Sequence, residues 1–250
     1  MNRLASLERA RHRRFAAIAC AALAATGGFS NVASGKNVSD KEALQSAKEF
    51  ADCIVKKRPD QAREVVFRSY LDVEKRFPKL LDKECLPDKS NGYYTSLLRF
   101  PGDTLHQLLA NALIRLEYSS SGPDLSALSS MGIPAPRPKA PEVLAKMSDK
   151  EREAYGAKFS ASQNWYMLMT LGDCVSRRDS ESVRSLALTD IGSAEEKAAI
   201  GKLQPQIAAC WPSGQTVRMN ISNFRGPTLR AYYHLASSVA EADEFKEAAK

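Results

Sequence analysis

The sequence predicts a mostly α-helical fold: two tandem disulfide-tied helical repeats packed as one globule, with room for a short two-stranded ribbon. Three observations carry this. Ordered blocks of residues occur twice, apolar residues fall at helical spacing in both copies, and the cysteines beyond the leader are shared two and two between the copies.

The duplication is anchored on Asp52-Cys53-Ile54, followed by Lys56, Lys57, Ala62 and Arg63. It returns 121 positions later as Asp173-Cys174-Val175, followed by Arg177, Arg178, Val183 and Arg184. Cys85-Leu86-Pro87 returns after 125 positions as Cys210-Trp211-Pro212. A Phe-x-Gly-x-Thr-Leu hexamer at Phe100 to Leu105 returns after 124 at Phe224 to Leu229. Three blocks in one order at a nearly constant offset indicate an internal repeat. A unit this small buries little core alone, so each copy is expected to pack on the other.

Apolar spacing gives the helices. Leu44, Ala47, Ala51 and Ile54 share one helical face, and Trp165, Leu168, Gly172 and Val175 match them in the second copy. After the hexamer, Leu105, Leu108, Leu109, Ala112, Leu113 and Leu116 follow the i, i+3, i+4 rule. Leu229, Tyr232, Tyr233, Ala236 and Ala240 repeat most of that stripe.

In chain order, residues 1–34 read as a signal peptide, with Arg3, Arg9, Arg11, Arg13 and Arg14 ahead of an apolar run from Phe15 to Ala25. Cleavage is expected after Ser34 or Gly28. The run is too short to span a bilayer, so no stable membrane span is expected after processing. Residues 35–118 form the first helical repeat, 119–147 a Pro/Ser-rich linker and 148–250 the second repeat. Capping boxes at Ser39/Glu42, Ser148/Glu151 and Ser193/Glu196 mark three helix starts. The first of these helices runs to about Lys57, and a second covers Asp60 to Phe77. The long helix from Ser148 passes Trp165 and ends near Arg178. The helix from Ser193 runs toward Cys210 and is kinked or split by Pro205. A final helix begins near Pro227. Gly92 to Leu98 and Thr216 to Ile221 are candidate strands for the ribbon.

Charge and cysteines narrow the function. The chain holds 36 Lys+Arg against 29 Asp+Glu, but five of the former and one of the latter lie in residues 1–34, leaving +3 for the remainder. No basic run with interleaved aromatics remains there, so no nucleic-acid partner is expected. Cys20 lies in the leader. Cys53, Cys85, Cys174 and Cys210 form an even set in an exported chain. Three pairings are possible, and the duplication favours Cys53–Cys85 and Cys174–Cys210, each worth about 3–4 kcal/mol by loop-closure entropy. The spacings do not resemble metal-ligand pairs, and no metal or cofactor is expected.

No nucleophile elbow, metalloprotease helix or phosphate loop occurs. His106 and His234 read as polar residues on helix flanks. Asp52 and Asp173 lie late in their helices beside a cysteine, where bonding the adjacent loop or pairing with Arg63 and Arg184 is expected ahead of catalysis. The functional expectation is therefore a non-enzymatic binding protein of the bacterial cell envelope, periplasmic or secreted, with a protein or envelope component as partner. Arg177 and Arg178 offer a basic contact. One alternative is a carrier holding a small ligand between the repeats, lined by Tyr93, Tyr94, Tyr232 and Tyr233. An envelope-acting hydrolase is another.

Overall fold

The computed structural model describes residues 40–67, 76, 77, 80, 83–85, 104–211 and 221–248, all within one unit, Val38–Lys250. The leader, Ser39, Tyr93 and Tyr94 lie outside the described residues. So do both candidate ribbon strands except Ile221, and among the described residues there is no strand.

Helix α1 (Asp40–Lys57) has Lys56 and Lys57 in its last turn, where the helix dipole favours cations. Arg58 breaks it, because a residue before proline is pushed out of the α region. Pro59 then opens α2 (Pro59–Phe67) at the position where its missing N–H costs nothing. Next among the described elements come a 3-10 turn at Lys83–Cys85 and then α3 (Thr104–Glu117). Residues 118–140 have no regular structure beyond a turn in which the Leu128 N–H donates to the Leu125 carbonyl at 3.1 Å. They form a strap over the body, pinned by Leu125, which is fully buried.

The short α4 (Pro141–Ala145) leads to α5 (Asp149–Arg178). The reciprocal capping box expected at its start is present: Ser148 accepts from the Glu151 N–H, and the Glu151 carboxylate accepts from the Ser148 N–H. Asp179 ends α5 and caps α6 (Ser180–Ala187), its side chain accepting from the Ser182 N–H at 3.0 Å. Then come α7 (Ala194–Cys210) and α8 (Ile221–Ala248).

Helix α8 lies at the centre, with α3, α5 and α6 packed on it; α1 and α2 pack on α3, and α7 on α5 and α6. From Phe224 to Ala236 nearly every α8 side chain is buried. One core joins Tyr232 and Tyr233 to Phe50 and Ile54 of α1, Leu109 and Leu113 of α3, Leu186 of α6 and Leu203 of α7. Each such side chain contributes about 1.5–3 kcal/mol by leaving water. Gly172 permits the closest approach of α5 to α8: a Cβ there would lie 2.8 Å from the Thr228 Cα.

Both expected disulfides form. Cys53–Cys85 ties α1 to the 3-10 turn, and Cys174–Cys210 ties α5 to the end of α7, with Cα separations of 5.4 and 5.8 Å. Among the described residues no helix is long and apolar enough to cross a membrane.

Several boundaries differ from expectation. Helix α8 starts at Ile221, and Pro227 lies inside it. Burial of Phe224, Arg225 and Thr228 against neighbouring elements outweighs the hydrogen bond that proline removes. Helix α7 is one helix through Pro205. Leu116 and Ala240 end their apolar stripes in the open, because each stripe outruns the helices it packs against. His106 is not a flank residue: it is fully buried on α3.

Candidate functional site

The residues singled out from the sequence do not gather in one place among the described residues. Tyr232 and Tyr233 are consecutive on α8, so their side chains leave the helix on different bearings, yet both are buried because α8 is enclosed on several sides. The Tyr233 hydroxyl donates to Glu117 at 3.1 Å, and Tyr118 of the strap sits edge-on to both rings. Burial pushes both phenols well above the ordinary tyrosine range. Glu117 also accepts from Arg63 Nε at 2.8 Å, so this carboxylate closes the gap between α2, α3 and α8.

Arg177 and Arg178 share the last turn of α5 but differ in role. Arg177 is half-buried and donates to Asp173 at 3.0 Å, one turn back, whereas Arg178 is exposed. Asp173 is itself buried, and its other oxygen accepts from the Met131 N–H at 3.1 Å. It therefore bonds the neighbouring loop as expected and takes Arg177 as its cation. Asp52 pairs with Arg115, and Lys48 stands 3.5 Å from both Asp52 and Asp190. The expected pairing of these aspartates with Arg63 and Arg184 is replaced by closer partners. Arg63 takes Asp60 and Glu117, and Arg184 takes Glu181 and the Tyr118 and Ser119 carbonyls.

Sequence reading missed Arg225. It is buried, donates to Glu196 at 2.8 Å and to the Thr189 carbonyl at 3.0 Å, and so joins α8 to the end of α6 and the start of α7. Glu196 was expected to complete a capping box with Ser193. Ser193 does cap α7, but Glu196 turns its carboxylate to Arg225 and the Gly192 N–H, while the Ser193 N–H donates to the Asp190 carbonyl at 3.2 Å. Desolvation lowers the Arg225 pKa from its ordinary value, against the pull of Glu196. His234 places Nε2 3.2 Å from the Val66 carbonyl at the end of α2, which also accepts from Arg230. These groups close helix ends and join elements. Among the described residues, no cluster of His, Cys, Asp and Glu has the makings of a metal site.

The outer surface is different in kind. Residues 149–164 of α5 are exposed except for Tyr155 and Phe159, whose rings stack 5.8 Å apart. The strap reaches this helix through the Lys139 N–H, which donates to the Tyr155 hydroxyl at 2.7 Å, and through the Lys139 ammonium, 5.1 Å above the Tyr155 ring. No family model matches the chain, and neither does any curated protein or solved structure.

Proposed function

We propose that this chain is an exported, non-enzymatic binding protein of the bacterial cell envelope, periplasmic or secreted, that acts through its surface on a protein or another envelope component. The observation that carries the reading is the burial of two candidate ligand-lining side chains. Tyr232 and Tyr233, the described residues that a carrier would use to line a ligand, are core side chains packed around α8. Two disulfides suit an oxidising compartment and a body that stays rigid outside the cytoplasm. Residues 1–34 serve as the signal peptide in this reading.

The two-repeat organisation belongs to the same proposal. The packing of α1 and α2 on α3 has a counterpart in that of α5 and α6 on α8, and each half holds one disulfide. The Asp60–Arg63 and Glu181–Arg184 pairs fall at the same offset as the cysteine block. Duplication makes a broad, stapled surface from one small helical unit.

The deciding experiment is the mass of protein purified from its own envelope, native and then denatured. The expected native species contains a second macromolecule. Its loss in an Arg177→Ala/Arg178→Ala variant would assign the contact to the basic end of α5. A small molecule held in the native state and released on denaturation would replace this reading with the carrier. The denatured chain is expected to lack the leader and to weigh four hydrogens less than its reduced form, two for each bridge.

A further inference from the structure

The strap from Pro134 to Pro141 combines a fixed backbone with an open surface. Prolines at 134, 136, 138 and 141 each hold φ near the polyproline-II value, and residues 133, 135, 137 and 140 each precede a proline and are driven to extended conformations. Ala140 has φ −60° and ψ 145°, which is polyproline II.

That helix has three residues per turn, so every third residue shares an edge. Ile133 and Pro136 are half-buried, while Pro134, Ala135, Arg137 and Pro138 are exposed. Lys139, next at this spacing, is exposed but is tied to Tyr155 through its N–H and its ammonium. One edge therefore lies on the body and two face outward. The outward edges carry Arg137-Pro138 and Ala140-Pro141, two X-Pro pairs one turn apart. Among the described residues, no backbone group from 133 to 138 is hydrogen-bonded to another part of the chain, so the carbonyls are available to an outside donor.

We propose that this strap is a polyproline-II ligand. It presents Arg137-Pro138-Lys139-Ala140-Pro141 to a partner protein whose groove is walled by aromatic side chains and rimmed by carboxylates. The inference rests on the reading of the chain as a surface-acting binding protein. Aromatic walls receive the two X-Pro pairs, indole or phenol donors meet the free carbonyls, and carboxylates meet Arg137. The tie at Lys139 holds the strap in its binding form in advance, so little ordering entropy remains to be lost on contact. Val143, half-exposed on α4, extends the apolar edge by one further side chain.

The test titrates the full oxidised protein against a purified SH3-type domain with an acidic pocket, followed by calorimetry. Saturable binding is expected. It should weaken at least about tenfold in Pro138→Ala and in Arg137→Glu, and stay unchanged in Lys202→Glu on the exposed face of α7. If a peptide of residues 132–143 binds this domain and the full protein does not, the body masks the strap and the proposal is overturned. Failure of both overturns it as well. In the native envelope, photo-crosslinkers at Ala135, Ala161 and Lys202 separate this proposal from the broader one. An adduct at Ala135 that disappears in Pro138→Ala supports the strap. Adducts at Ala161 or Lys202 alone overturn the strap and leave a binding protein. No adduct at any site overturns both.

Discussion

Gly156 and Gly172 lie on the same helix, and replacing each by alanine is expected to move stability in opposite directions. A Cβ at Gly156 meets nothing within 4 Å, so Gly156→Ala only removes backbone freedom from the unfolded chain and stabilises by about 0.5–1 kcal/mol. A Cβ at Gly172 lies 2.8 Å from the Thr228 Cα and 3.1 Å from the Pro227 carbonyl, and both obstacles are backbone that cannot rotate away. Gly172→Ala therefore forces α5 from α8 and costs about 1–3 kcal/mol. Urea unfolding of the two variants checks the pair, and a shift of the same sign in both would refute the close crossing. The buried Glu196–Arg225 pair gives a second residue-scale prediction. Glu196→Ala leaves the Arg225 guanidinium buried without its counter-charge and is expected to cost about 3–5 kcal/mol. Glu196→Leu/Arg225→Met removes both charges and should cost well below the sum of the single changes. A double-mutant cycle reads this directly.

At the scale of elements, each disulfide fastens a helix to a second element, α1 to the 3-10 turn and α5 to the end of α7. The loops they close span 32 and 36 residues, so chain entropy predicts nearly equal losses, about 3–4 kcal/mol, from Cys53→Ser/Cys85→Ser and Cys174→Ser/Cys210→Ser. Denaturant midpoints of the two double variants test that equality. Markedly unequal losses would mean that one bridge acts on the folded state instead. The pairing was readable from sequence because each of the two similar runs of residues contains two cysteines. The starts of α5 and α7 were readable because Ser148 and Ser193 are local caps. The start of α8 was not, since Gly226-Pro227 has the local signature of a break, while the burial of Phe224, Arg225 and Thr228 that overrides it depends on elements far away in the chain. The same limit applies to the candidate site. Asp173–Arg177 follows the i, i+4 rule and was within reach, whereas Glu196–Arg225 joins residues 29 apart and had no local sign. Tyr232 and Tyr233 sat on an apolar stripe that already announced core, and their burial follows from that stripe. The strap's prolines foretold an irregular backbone, but the contacts made at Ile133, Pro136 and Lys139 required the body beneath it.

For the whole molecule, the consequence of burying α8 is a specific response to alkali. Among the described tyrosines, Tyr118, Tyr232 and Tyr233 have phenols displaced upward, in each case chiefly by burial. The Tyr232 hydroxyl has no hydrogen-bond partner among the described residues, and the nearby Arg184 charge only partly offsets the burial that disfavours its anion. A raised folded-state pKa means that the folded protein holds its phenolic protons more tightly than the unfolded chain does. The contribution to stability is therefore intact below the ordinary phenol pKa of about 10 and declines as pH rises through and above it. Tyrosinate absorbance recorded along a pH titration, with circular dichroism beside it, tests this. A late group should ionise only together with loss of helical circular dichroism. Tyr232→Phe keeps the ring in the core and removes a buried hydroxyl that no described residue satisfies, so it should delay the alkaline transition and leave the acid side unchanged. If every tyrosine ionises in one early step while the helices persist, α8 is not the enclosed centre of this fold, and water reaches it in the native state.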